Sequence, residues 1–325
     1  MEWRQSSDHI VVTMDAYIDD INPIDVNKKE LDDRLLNEKE KHTFASVLAK
    51  VRWPVNHIVP ELAYAVSRLA QCRKAEITVG KMKDLNKLVL NLTAVKDAGR
   101  ARMVLNKVDL RKPVVVTHFD ASFAQEAGMK SQCGFLTFLA PEEVARQSVK
   151  TTMLEFQSST IARVVKSTMA AESAALSTAI DRHLYVRLLL QAVMNGEPEY
   201  GQDWRLHLKV PGIVVTDARS LFDHMSKTGS VPKERQTLID LLVARDLSEN
   251  GALSIRWVST LHQLADMLTK DMKPSHIALK FLQDQNSSLV PSVDEEEEEA
   301  RRLTLRQGQR KRRKERDEKK KKGGS

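Results

Sequence analysis

Two short, mostly apolar runs that each stop at an aspartate set the tightest limit on what this chain can fold into. Val114-Val115-Val116-Thr117-His118-Phe119 runs into Asp120, and Gly212-Ile213-Val214-Val215-Thr216 runs into Asp217. Runs of this length without a polar face suit strands covered on both sides, so a layered α/β arrangement is expected, with both carboxylates at strand tips. Two more acids sit at the openings of predicted helices. Ser167-Thr168-Met169-Ala170-Ala171-Glu172 begins an Ala-rich helix after a hydroxyl cap, which puts Glu172 about one turn inside. Thr260 and Gln263 have the spacing of a capping box, which predicts a helix over Leu261–Leu268 with Asp266 exposed in its second turn.

Four carboxylates drawn from distant segments repel one another and raise each other's pKa unless cations are present. The chemistry that uses such a set is phosphodiester hydrolysis by a pair of Mg²⁺ ions, hard cations that take oxygen ligands and sit roughly 4 Å apart. Asp120, Glu172, Asp217 and Asp266 are therefore the candidate catalytic and metal-ligating residues, with Mn²⁺ as the alternative ion. Taken singly, a strand-end Asp is usually a turn residue and a helical Glu usually solvated surface, so the reading depends on all four together.

The sequence around the four acids resembles the ribonuclease H domain that closes the Pol polyprotein of copia-type retrotransposons. The resemblance covers residues 113–285. It is carried by Thr117-His118-Phe119-Asp120-Ala121-Ser122, Ser131-Gln132-Cys133-Gly134-Phe135-Leu136, Ser167–Leu176, Thr216-Asp217-Ala218-Arg219-Ser220-Leu221 and, most diagnostically, the closing Trp257–Lys270 with Leu264-Ala265-Asp266 and Leu268-Thr269-Lys270. It implies a mixed five-stranded sheet flanked by helices, two Mg²⁺ ions on the four acids, and cleavage of the RNA strand of an RNA–DNA hybrid. The chain departs from the family where Phe123 stands in place of a Trp, where Gln157-Ser158-Ser159-Thr160 is poor in positive charge, and where Lys233–Asp240 lacks a His. These departures fall in segments that would hold substrate and leave the ligands intact.

His262, four residues before Asp266, is a candidate proton shuttle, although a His in the first turn of an exposed helix is more often surface. His118 is expected to pack beside its strand. Cys72 and Cys133 have neither disulfide nor metal-ligand spacing and read as small buried hydrophobes. No signal peptide or membrane span is expected, which points to a nuclear or cytoplasmic protein.

The net charge of +7 is unevenly placed. Residues 301–325 hold 13 Lys and Arg against 3 acids, so residues 1–300 carry a net −3. Arg310, Lys311, Arg312, Arg313 and Lys314 follow an acidic run, Asp294–Glu299, in a stretch with few apolar residues. A disordered tail that binds nucleic-acid phosphates or serves nuclear import is expected.

Toward the N-terminus, Tyr17-Ile18-Asp19-Asp20 reproduces the Tyr-x-Asp-Asp signature of reverse transcriptases, but only 16 residues precede it and Pro23 follows. It reads better as an amphipathic stretch with Tyr17, Ile18 and Ile21 on one face than as a polymerase centre. Phe44–Trp53, Pro60–Leu69 and the region from Val79 to Leu92 have helical spacing and resemble the thumb-to-connection helices of copia-type Pol. The organisation expected is thus an extended segment over 1–40, a helical segment over 41–110, the ribonuclease H-like domain over 113–285 and the tail over 286–325.

Two functions compete. One is a Mg²⁺-dependent ribonuclease H acting on RNA–DNA hybrids, not a polymerase by itself, with a reverse transcriptase palm as a candidate partner in trans. The other is a catalytically weak or dead nucleic-acid-binding relic of the same fold. A Gly-x-Ser-x-Gly elbow and a phosphate-cradling Gly loop are both missing from the sequence, so serine-hydrolase and nucleotide-binding readings have no support.

Overall fold

The computed structural model describes residues 1–27, 29–196, 204–226, 232, 234–271 and 273–289; the tail readings, including Arg310–Lys314, lie outside these residues. The chain forms β1 (Glu2–Gln5), β2 (His9–Thr13), α1 (Asp15–Asp19), α2 (Glu38–Ile58), α3 (Ala63–Ala70), α4 (Val79–Asp97), β3 (Arg102–Asn106), β4 (Pro113–Glu126), β5 (Lys130–Pro141), β6 (Val149–Lys150) and β7 (Thr152–Thr160). It continues with α5 (Thr168–Asn195), β8 (Gly212–Thr216), α6 (Arg219–Ser226), α7 (Arg235–Glu249), β9 (Ser254–Trp257), α8 (His276–Asp284) and β10 (Asn286–Ser287).

The main sheet runs β1-β2-β3-β7-β5-β4-β8-β9. Its heart is the mixed five-stranded order β7-β5-β4-β8-β9, antiparallel from β7 to β4 and parallel from β4 to β9. With helices on both faces, this is the ribonuclease H-like α/β fold. Three further strands lengthen the sheet to eight. The β1–β2 pair joins it through β3, which pairs with β7 at Leu105 and Thr152. Residues 1–40, expected as extended, hold two strands, a five-residue helix and the start of α2.

β4 shows why the apolar runs are continuous. Its alternate residues serve opposite faces: Val114 and Val116 join the cluster built with α2, α3 and α4, whereas Phe119 and Ala121 join the cluster under α5. A strand buried on both faces has no room for a polar alternation. The first cluster spans the helical residues Val51, Val55, Val66, Leu85 and Leu92 as well as Leu136, Phe138 and Met153 of the sheet, so the helical segment and the sheet share one core.

α5 starts where expected, with the Ser167 side chain accepting from the Ala170 amide at 3.1 Å. Close approach of this helix to β8 depends on Gly212, where a Cβ would lie 2.1 Å from His183 Nε2 and 2.9 Å from Arg187 Cδ. His183 is held there by Thr117 Oγ1 at 2.9 Å. Arg187 is 1% exposed, and its guanidinium donates to the carbonyls of Val210, Ala252 and Leu208.

Three local readings need correction. Asp15–Asp19 is helical, and Ile18 and Ile21 are buried, but Tyr17 faces solvent and does not share their side. Cys133 is buried and Cys72 only half-buried; both are free thiols. The segment after Ser259 is no α-helix. It forms two 3₁₀ turns, Thr260–His262 and Leu264–Leu268, and the Gln263 side chain caps the second of them. Among the described residues, no helix is long and apolar enough to cross a membrane.

Candidate metal centre

Parallel pairing of β4 with β8 brings the two strand aspartates together. The last paired residues are His118 and Val215, so Asp120 and Asp217 each lie two residues beyond the same rung. β8 stops at Thr216, which leaves Asp217 half-buried at its tip, as expected. β4 does not stop: it runs on to Glu126, still paired to β5 through Ser122, so Asp120 stands mid-strand and is 1% exposed. The Asp217 backbone is fixed by the Trp257 indole, which donates to its carbonyl at 3.1 Å.

Asp266 arrives from the other side on the second 3₁₀ turn. Gln263 positions that turn: its amide nitrogen donates to the Phe119 carbonyl at 2.9 Å, and its Oε1 accepts from the Ala265 amide at 3.2 Å and faces His118 Nδ1 at 3.1 Å. Gln263 thus caps this turn and also ties it to β4. Ser158 adds another, its hydroxyl donating to the Leu268 carbonyl at 2.5 Å, and Gln132 donates to both Ser158 and Ser67 at 2.8 Å. Gly134, opposite Asp120 on β5, lets the turn sit directly on the sheet. A Cβ there would lie 2.5 Å from Leu268 Cβ.

One ligand atom from each of Asp120, Asp217 and Asp266 lies within 4.8 Å of the others. Glu172 falls outside that radius but feels all three charges. Its Oε2 is buried and has no hydrogen-bond partner. An unpaired carboxylate oxygen in such a place is costly unless a cation or a proton meets it.

The electrostatics follow from burial and crowding. Burial, and then the charges of Asp120 and Asp217, push the Glu172 carboxyl well above the ordinary range. Asp120 is raised by burial, against the opposing pull of Lys270. Asp266 is raised to about 7, by burial first and by Asp120 second. Buried carboxylates crowded in this way regain their charge when a cation joins them.

Sequence reasoning assigned no role to two residues that touch the cluster. The Thr269 hydroxyl donates to Asp120 Oδ2. The Lys270 ammonium lies 2.5 Å from Asp266 Oδ1 and 3.3 Å from Asp120 Oδ2. Burial lowers the Lys270 pKa, but Asp120 and Asp266 outweigh it and hold the ammonium above its usual range. The signal for Lys270 was its position four residues after Asp266.

His262 is buried, not on the surface of an exposed helix, and its Nδ1 bonds the Ser259 hydroxyl at 2.9 Å. It lines a cavity of about 470 Å³ with His118, His276 and Lys280, a cavity to which none of the four acids contributes. His118 is buried as expected, and burial depresses it to about 4.

No protein-family model matches the chain, and comparison with curated proteins gives no match. Among solved structures, the chain is similar to the N-terminal ribonuclease H domain of a Mycobacterium tuberculosis protein, at 18% identity over 53% of this chain and 97% of that one, with a TM-score of 0.31. Halobacterium salinarum ribonuclease H1 gives 17% identity over 48% and 94% with a TM-score of 0.30. A foamy viral protease-reverse transcriptase in complex with double-stranded DNA gives 13% identity over 75% of this chain and 35% of that chain, with a TM-score of 0.39. Superpositions this loose leave the site to be judged on its own geometry.

Proposed function

We propose that the chain is a divalent-metal-dependent nuclease of the ribonuclease H type, cutting the RNA strand of RNA–DNA hybrids. The observation that carries the reading is the convergence of three carboxylates within 4.8 Å beside a buried, partnerless Glu172 oxygen. Hard oxygen donors suit Mg²⁺, or Mn²⁺ as the alternative, and the donor set of Asp120, Glu172, Asp217 and Asp266 is large enough to share between two ions. Bound there, divalent ions would supply the Lewis acidity that lowers the pKa of an attacking water and stabilises the leaving oxygen. The protein's part is geometric. Asp120 is fixed by its strand and by Thr269, Asp266 by the turn that Gln263 and Ser158 hold on the sheet, and Asp217 by the Trp257 bond to its carbonyl.

Together with the closing Leu264–Lys270 motif, this site favours descent from the Pol polyprotein of a copia-type retrotransposon. In that setting the hybrid would come from a reverse transcriptase palm in trans, and the protein would work in the nucleus or cytoplasm. A second reading, a nucleic-acid-binding relic, has its own support. Ser158, in the segment where the family holds substrate, spends its hydroxyl on the Leu268 carbonyl, and Arg163 is paired with Asp240.

One assay separates the two. Purified protein with a labelled RNA–DNA hybrid and Mg²⁺ should cut the RNA strand, and Asp217→Asn should reduce turnover at least about 10²-fold while hybrid binding persists. Binding without cleavage by the wild type would leave the relic reading standing.

A further inference from the structure

The Lys270 ammonium meets the carboxylates of the centre unevenly. Lys270 Nζ lies 2.5 Å from Asp266 Oδ1, 3.3 Å from Asp120 Oδ2 and 3.5 Å from Asp120 Oδ1. Thr269 also donates to Asp120 Oδ2. Both oxygens of Asp120 and one of Asp266 are therefore engaged by protein donors. On the other side of the cluster the Glu172 Oε2 has no partner, and Asp217 completes the group whose ligand atoms lie within 4.8 Å of one another.

We propose that Lys270 is a resident counter-charge that fills the cation position between Asp120 and Asp266, so that a divalent ion enters first beside Asp217 and Glu172 and a second enters only by displacing the ammonium. This rests on the metal-dependent reading above and adds a rule for how the site loads. Counted in the deprotonated forms that bind metal, four carboxylates and one ammonium leave three negative charges. One divalent ion reduces that to one, but a second ion with Lys270 still in place makes the centre positive. Expelling Lys270 restores neutrality.

The side chain is suited to leave. It is 34% exposed and has a four-carbon stem, so its head has a route to water. An ammonium is a compact charge without the fixed fork of a guanidinium, which lets it occupy an ion-sized position and give it up.

The test is Mn²⁺ titration of the full chain by calorimetry, with thermal melting in chelator and in excess Mn²⁺. Wild type should bind one ion tightly and a second more weakly. In Lys270→Met the second ion should bind at least about tenfold more tightly, the protein should melt lower than wild type in chelator, and the order of melting should reverse in Mn²⁺. Lys270→Arg should retain the weak second step, which guards against a variant that merely misfolds. An unchanged or weaker second step in a folded Lys270→Met would overturn the proposal while leaving the metal-dependent nuclease intact. Failure of wild type and both variants to bind any Mn²⁺ would overturn both.

Discussion

Gly134→Ala should disable the centre from the neighbouring strand. Gly134 pairs with Asp120 across β5 and β4, and its missing side chain is the space in which the Leu264–Leu268 turn rests. A Cβ would lie 2.5 Å from Leu268 Cβ, 3.0 Å from Thr269 Cγ2 and 3.3 Å from the Leu268 carbonyl carbon. None of these is the free end of a flexible side chain. Regaining ordinary contact, at about 3.5 Å, needs the turn to lift by about 1 Å, and it carries Asp266, Thr269 and Lys270 with it. Overpacking of this kind costs about 1–3 kcal/mol of stability. A displacement of about 1 Å among reacting groups costs on the order of 10²-fold in rate. The variant should therefore unfold at lower urea, bind Mn²⁺ more weakly and turn over hybrid about 10²-fold more slowly at saturating substrate. Leu268→Gly added to it removes the clashing Cβ and should restore part of the metal affinity. A Gly134→Ala protein with wild-type stability, affinity and turnover would refute the close seating of the turn on β5.

Three further outcomes follow from buried groups elsewhere. Arg187→Met leaves the carbonyls of Leu208, Val210 and Ala252 without their donor; at about 1–3 kcal/mol each the loss should reach about 3 kcal/mol or more in urea melts. Gly212→Ala drives a Cβ against His183 and should cost about 1–3 kcal/mol, much of it recovered by adding His183→Ala. Without metal, Asp266, raised from 3.8 to about 7, binds its proton more tightly folded than unfolded, so its contribution is full below pH 4 and is lost as pH rises through 7. The buried imidazoles of His118 and His183, depressed to about 4 and about 3, act the opposite way below pH 6.5. The readout is therefore the difference between Asp266→Asn and wild type in chelator, which should grow from near zero at pH 4 to at most about 4 kcal/mol at pH 8 and shrink when Mg²⁺ is added.

How far the sequence could be read depended on how local each determinant was. The Asp120 and Asp217 strands were legible because burial on both faces forces continuous apolar runs, and α5 because a hydroxyl cap precedes an Ala-rich stretch. The first two strands were not. Glu2–Gln5 is fully exposed and His9–Thr13 half-buried, so neither carries a strong alternation, and their place in the sheet is set by pairing with Arg102–Asn106, about ninety residues away. Tyr17 was misplaced because a helix of five residues has too few turns to define a face.

The Asp266 segment shows a different failure. Thr260 and Gln263 have capping-box spacing, but a capping box needs the Gln oxygen to accept from the Thr260 amide, and here that oxygen accepts from the Ala265 amide while the side-chain nitrogen donates to the Phe119 carbonyl. A tertiary bond to a strand some 140 residues earlier outweighs a local cap worth about 1 kcal/mol, and the turn tightens to 3₁₀ geometry. Lys270 follows the same logic. Four residues after an Asp, a Lys reads as an exposed helical ion pair worth a few tenths of a kcal/mol. Only when the turn is laid on β4 does its ammonium find Asp120 as well, and a surface spacing becomes a positive charge shared by two carboxylates of the centre.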